Sequence, residues 1–275
     1  MGNSLCLCRA LSIYEFKSDR LLGLELVRRG QRFEGFSAEG ERILAWARSV
    51  LAAQDGLLAE AAACRGHLVG TLRLGVVPLA SFDPMRLVSL FAERHPGLRF
   101  QLHALSSDQI LERLVRNQLD LGLSYLDRLD REHFTSLELA EARMGLLYDQ
   151  RHFHFTSSSL RWEQLASLPL GLLSTGMHFR QSIDHSFRAR GLSPLVRLEA
   201  DAVHHLTQAV SAGLCCSVMP LPANGSPTDG HLRLLPIEDA HTLAPQGLIL
   251  RRSAPASPLA QACFEEAREW LANNR

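Results

Sequence analysis

Chemistry beyond binding would require nucleophiles, acids or metal ligands at workable spacings, and the sequence offers few. His152-Phe153-His154 and His204-His205 could each present two imidazoles to a metal. Such pairs on a strand or helix more often face solvent, and no third ligand follows at a zinc-like spacing. Cys215-Cys216 falls in a predicted buried strand and reads as core. G-x-S-x-G, H-E-x-x-H, the P-loop and G-x-G-x-x-G are all missing, so no nucleophile elbow, metalloprotease helix or nucleotide cradle can be drawn. The expectation is a protein that is no enzyme, with no catalytic residue, no metal and no cofactor.

What remains is binding. Three loops follow predicted strands and precede predicted helices: Pro78-Leu79-Ala80-Ser81-Phe82, Ser174-Thr175-Gly176-Met177 and Asp201-Ala202-Val203. Free amides at a helix start can hold an anion, so each loop is either a ligand contact or ordinary capping. Cys215 and Met219 would line the floor of the same site. His178 and Arg180 lie close enough in sequence to meet a carboxylate, or His178 is simply exposed. Farther forward, Arg28, Arg29 and Arg32 surround Gly30. They could bind backbone phosphates, which gives affinity and salt dependence without sequence reading, or form a solvated basic turn.

These residues need elements to position them. Leu22 to Phe36 suits two short strands joined by the basic glycine turn. Ser37 can then cap a long helix whose early Glu39 and Glu41 suit the positive end of the helix dipole. Ile43, Ala47, Val50, Leu57, Ala61 and Cys64 recur at helical spacing, and Leu44, Leu51 and Leu58 repeat every seven. That is a seam for another helix, either an antiparallel or crossed dimer contact or packing on its own domain. From Gly70 the sequence alternates strands with helices, which implies parallel strands with right-handed crossovers. A second series of the same rhythm begins after a predicted strand at Leu139 to Tyr148. The ligand cleft is expected between the two units, at the carboxyl ends of strands.

The chain has 275 residues, 46% hydrophobic and 21% charged, with 29 Lys+Arg against 29 Asp+Glu. This balance argues against a protein coated in basic surface and leaves room for a local patch. Apolar runs fall far short of the roughly 20 residues of a membrane span, and no basic region precedes the apolar start. Six scattered cysteines with no C-x-x-C read as reduced thiols in the cytoplasm.

At this point the residues resemble one family. The run L-G-L-E-L-V-R-R-G-Q-R-F-E-G-F-S-A-E-G resembles the winged end of a LysR-type helix-turn-helix and the start of its linker helix, with Leu22-Gly23, Leu26-Val27, Arg29, Arg32, Phe36-Ser37 and Gly40 in the patterned places. G-T-L-R-L-G-V, F-A-E-R-H-P-G-L, L-D-L-G-L, R-A-R-G-L and A-V-S-A-G-L are similar to the family's effector domain, in order, over roughly residues 22–275. Residues 1–21 do not match the helices that should precede the wing.

The resemblance implies an α/β fold: a two-lobed, periplasmic-binding-protein-like effector domain preceded by a long linker helix and a truncated winged helix-turn-helix. It implies a DNA-binding remnant over 1–36, a dimerisation helix over 37–66 and an effector domain over 70–275. Lobe I is expected at about 70–145 and 244–275, and lobe II at about 146–243. The implied function is a cytoplasmic transcriptional regulator controlled by a small effector between the lobes. Arg28, Arg29 and Arg32 would touch DNA. Pro78, Leu79, Ser81, Phe82, Ser174, Thr175, Met177, Ala202, Val203 and Cys215 would touch the effector, and Leu44, Leu51 and Leu58 a second copy. The implied partners are double-stranded promoter DNA, with binding weakened if the front is truncated, an anionic or carboxylate effector, and a homodimer or homotetramer, without a membrane. The alternative is a small-molecule-binding protein of this fold that no longer binds DNA specifically.

Overall fold

The computed structural model describes residues 22–29, 33–63, 68–127, 129–140, 143–221, 230–241, 244–252 and 257–274. The expectations placed on residues 1–21, on Arg32 and on the side chains of Arg29, Leu51 and Leu58 lie outside what is described.

In the first unit, β1 (Val27–Arg29) pairs antiparallel with β2 (Phe33–Phe36). Helix α1 (Ala38–Ala63) follows; its 26 residues span about 39 Å at ~1.5 Å per residue. Ser37 fixes its start: the hydroxyl donates to Glu25 O at 2.6 Å and accepts from Gly40 N at 2.8 Å. Gly40 is required there, because a Cβ would lie 1.9 Å from Leu26 O. Ser37 and Gly40 thus dock the first turn of α1 onto the strand that leads into the hairpin. Beyond that turn the helix exposes Trp46, Val50 and Leu57, while Leu44 is half-buried.

The rest of the chain builds two five-stranded sheets. The first has the order β4-β3-β5-β12-β6. Its strands are β3 (Gly70–Val76), β4 (Leu98–Ala104), β5 (Leu121–Tyr125), β6 (Phe134–Ala140) and β12 (Gln246–Arg251). β3 runs parallel to β4 and β5, whereas β12 runs antiparallel between β5 and β6. Helix α2 (Pro84–Arg94) connects β3 to β4, with proline in its first turn and the Asp83 carboxylate accepting from Met85 N. Helix α3 (Ser107–Val115) connects β4 to β5 behind a complete capping box of Ser106 and Gln109. Both helices present their apolar stripe to the sheet: Leu87 and Phe91 from α2, Ile110 and Leu114 from α3. Burying each of these side chains is worth about 1.5–3 kcal/mol.

The second sheet, β11-β7-β10-β8-β9, is made of β7 (Arg143–Asp149), β8 (Pro169–Leu173), β9 (Leu195–Ala200), β10 (Cys216–Leu221) and β11 (Leu232–His241). β8 is parallel to β9 and β10; β7 is antiparallel to β10 and β11. Helices α4 (Trp162–Leu165), α5 (His178–Arg188) and α6 (Val203–Ser211) cover it. Its core packs Leu146, Leu170, Leu172, Phe179, Ile183, Phe187 and Trp162. The last helix, α7 (Pro258–Asn273), returns to the first sheet and buries Leu259, Cys263 and Phe264 in that core. The fold is therefore the two-lobed α/β architecture expected. One expectation is corrected: the run Leu139 to Tyr148 is two strands. β6 ends in the first sheet and β7 begins in the second, so this stretch is a crossing between lobes.

Candidate functional site

Helices α3 and α5 start on opposite lobes, and their first turns meet across a small, open cleft lined by Ser107, Asp108, Leu111, Tyr125, Asp127, Gly176, His178 and Gln181. The cleft lies where β4, β5 and β8 end at their carboxyl termini, the place where an open α/β sheet exposes helix starts and loops together.

His178 carries the contact between lobes. As the first residue of α5 its ring lies flat on Tyr125 of β5, with centroids 3.8 Å apart and planes 14° from parallel. Its Nε2 is 3.1 Å from Asp127 Oδ2. A carboxylate only accepts, so Nε2 carries a proton toward Asp127. The His178 side chain is 6% exposed, and its Nδ1 is buried with no hydrogen-bond partner. Ser107 Oγ and the Tyr125 hydroxyl are buried and unpartnered in the same way. Burial pushes the Tyr125 phenol well above its ordinary range; the approach of Gln246, without a well-formed bond, pulls back a little, and the Asp127 charge adds to the rise. Unpaired buried polar atoms cost roughly 1–3 kcal/mol each, so several of them around one cleft mark a place built to meet a ligand's polar groups.

Apart from Gly176, the residues of the loops named from sequence do not line this site. Gly176, between Thr175 and Met177, is the point at which the second loop reaches the cleft. Leu79 adopts φ 57, a left-handed conformation uncommon outside glycine, and packs on the second lobe's core with Met177 and Val203. Pro78 is half-buried beside it. Ser81 N donates to Gln246 Oε1 at 2.6 Å, which fixes the first loop to the start of β12. Phe82 turns into the first lobe's core, edge-on to Trp270. In the second lobe, Ser174 Oγ pairs with Asp201, while Thr175 and Ala202 are exposed. Cys215 is fully buried with Ala209 and Val210 beneath α6, with its sulfur against Gly171. Arg180, beside His178, is enclosed: it donates to Asp184 Oδ1, Leu173 O and Glu199 Oε2. Arg28 is exposed on β1.

Sequence reasoning missed Tyr125, Asp127, Asp108, Ser107, Gln181 and Gln246. Only Ser107-Asp108 carried a signal, as a helix start after a strand. Tyr125 and Asp127 sit at the end of a strand that looks like plain core. Among the described residues, no cluster of His, Cys, Asp or Glu could hold a metal ion, and no helix is long and apolar enough to cross a membrane.

The LysR substrate binding domain matches residues 65–272. The chain belongs to the LysR family of transcriptional regulators. A probable hydrogen peroxide-inducible genes activator from Streptomyces viridosporus is 31% identical over 216 residues, 78% of this chain and 69% of that protein. Full-length CbnR complexed with its target DNA superposes with a TM-score of 0.73 at 17% identity, covering 95% of this chain and 89% of CbnR. The effector binding domain of QuiR in complex with shikimate superposes at 0.62 and 16% identity, over 74% of this chain and 98% of that domain. At those identities the two structures share the fold. This LysR-type regulator is therefore not an enzyme, and the cleft beside His178 lies in its effector-binding domain.

Proposed function

We propose that this regulator senses a small molecule in the cleft between α3 and α5 and passes the change in lobe angle to DNA-binding ends held by α1. The observation that carries the reading is the set of unpartnered buried polar atoms, His178 Nδ1, Ser107 Oγ and the Tyr125 hydroxyl, contributed by both lobes. A ligand that pairs with all three favours one lobe angle over another, and that difference in affinity is all the energy the switch can use. Leu79, Ser81, Met177 and Val203 support the cleft wall and so set its shape. Pro78, Ser174, Thr175 and Ala202 complete the loops around it, and Phe82 and Cys215 act from the cores behind them.

We further assign residues 37–66 to a dimerisation helix through Leu44, Leu51 and Leu58, in a homodimer or homotetramer, and residues 70–275 to the effector domain. Residues 1–36 belong to the DNA-binding region, where Arg28, Arg29 and Arg32 touch phosphates, and the site of action is the cytoplasm. The exposed Trp46, Val50 and Leu57 form a second row of large apolar side chains on α1, on a different face from Leu44, so the helix offers more than one face for pairing with a second helix. The QuiR domain binds shikimate and CbnR binds target DNA, and the same two kinds of partner fit here.

A gel-shift titration of the full chain against the DNA upstream of its own gene tests this. A retarded complex is expected, weakened on every sequence by replacing Arg28, Arg29 and Arg32 with alanine, with the salt slope reduced by about 0.9 for each phosphate no longer neutralised. Binding untouched by the triple replacement would remove the wing from the mechanism; no complex at any salt would leave a binding protein without DNA.

A further inference from the structure

We propose that the cleft takes a small organic cation, an amine carrying one or two ammonium groups, rather than a carboxylate. The inference rests on reading this cleft as the effector site. Among the described residues its lining holds two carboxylates, Asp108 and Asp127, one from each side of Tyr125 in sequence, and neither lysine nor arginine. Arg180, two residues after His178, is taken by Asp184 and Glu199 and by the Leu173 carbonyl. No described arginine is left in the lining to meet an incoming carboxylate.

The positive ends of two helices argue the other way, and their size decides the matter. Each helix start carries the equivalent of about half a positive charge. Two such ends oppose two full negative charges, so the cleft keeps roughly one negative charge of its own when His178 is neutral. The start of α3 is moreover already answered from within, by the Ser106 and Gln109 capping box and by Asp108 in its first turn. A carboxylate placed here meets like charge without a partner; an ammonium group meets Asp108 and Asp127.

The unpartnered atoms complete the match. With Nε2–H committed to Asp127, His178 Nδ1 offers a lone pair, and Ser107 Oγ and the Tyr125 hydroxyl can also accept. Acceptors suit N–H donors, of which an ammonium group has three. Leu111 and the edge of Tyr125 supply an apolar wall for a short carbon chain or ring.

The test uses matched probes on the full chain: putrescine and benzylamine against succinate and benzoate, by calorimetry and thermal shift. The amines are expected to bind at least about tenfold more tightly than their acid counterparts. Asp127→Asn and Asp108→Asn should each weaken amine binding about tenfold or more. Asp127→Asn keeps an acceptor for His178, so the contact between lobes survives and the lost charge is what is read. Gly176→Trp places a large side chain at the lining, where a Cβ meets nothing within 4 Å; once circular dichroism and an unchanged melting profile show the variant folded, it should abolish binding. Acids binding better than amines, with Gly176→Trp abolishing that binding, would overturn the cation and keep the cleft. Amine binding unaffected by Gly176→Trp would place the ligand elsewhere and overturn the cleft reading itself. No binding by either amine, or amine binding indifferent to both Asp→Asn changes, would overturn the proposal.

Discussion

Three cysteines show how environment sets the behaviour of a residue. Cys215, Cys216 and Cys263 are free and buried, and burial pushes all three thiols up, Cys216 and Cys263 to about 12. The nucleophile is the thiolate, so these three should resist iodoacetamide and peroxide in the native chain at pH 8 and react on unfolding. Peptide mapping after alkylation reads this directly; labelling of the Cys216 peptide without unfolding would contradict it. The same shifts fix a sign for stability. A thiol whose folded pKa is raised keeps its proton in the native state, so its contribution is complete below the unfolded value of about 8.5 and is lost as pH climbs toward about 12. Asp149 behaves oppositely. Hydrogen bonds from the Arg151 guanidinium hold its carboxyl down to about 2, so its contribution exists above the unfolded value near 4 and disappears as pH falls to about 2. Arg151→Gln should move the acid limb of a pH–stability curve upward and leave the alkaline limb in place.

Elements depend on close approach as much as on pattern. Helix α3 lies on the first sheet because Gly122 and Gly75 leave room for it. A Cβ at Gly122 would sit 2.5 Å from Ile110 Cγ2 and 3.2 Å from Leu114 Cδ1, in a fully buried cluster. Gly122→Ala should therefore cost about 1–3 kcal/mol by overpacking. Gly75→Ala, whose nearest atom is the tip of Leu119 at 2.6 Å, should cost less because that methyl can swing away. Urea titration of the two variants ranks them; equal costs would mean that the helix shifts bodily. These glycines stood inside strand patterns that read clearly, as did α2, α3 and α6, whose apolar periodicity survives in the burial of Leu87, Phe91, Ile110, Leu114 and Leu206. The break between β6 and β7 was not legible, because one apolar texture runs through Leu139 to Tyr148 and nothing local says that the chain changes sheets there. β11 continues past Pro236 to His241 for a similar reason, since register with β7 and a bulge, rather than composition, carry it. The cleft was half legible. A strand-then-helix loop pointed toward the stretch that holds Gly176, but stacking of His178 on Tyr125 joins residues 53 apart in sequence and in different lobes. No spacing rule reaches that far.

At the scale of the whole chain, the order of elements binds the lobes to each other. The first sheet is unfinished until after the second is complete: β12 inserts between β5 and β6 only when the chain returns at Gln246. That strand buries Leu248 and Ile249, and α7 adds Leu259, Cys263 and Phe264. At about 1.5–3 kcal/mol for each large apolar side chain, these contributions sum to roughly the 5–15 kcal/mol that holds a domain folded. A chain stopped at residue 243 should therefore lose the first lobe, whose sheet would lack the strand that joins β6 to β5. It should keep the second, whose strands all lie within Arg143–His241. Limited proteolysis of such a truncated chain should leave a resistant fragment beginning near Arg143 and digest the peptides of β3, β4 and α2. Protection of those peptides would show that the first lobe stands without its last strand and helix.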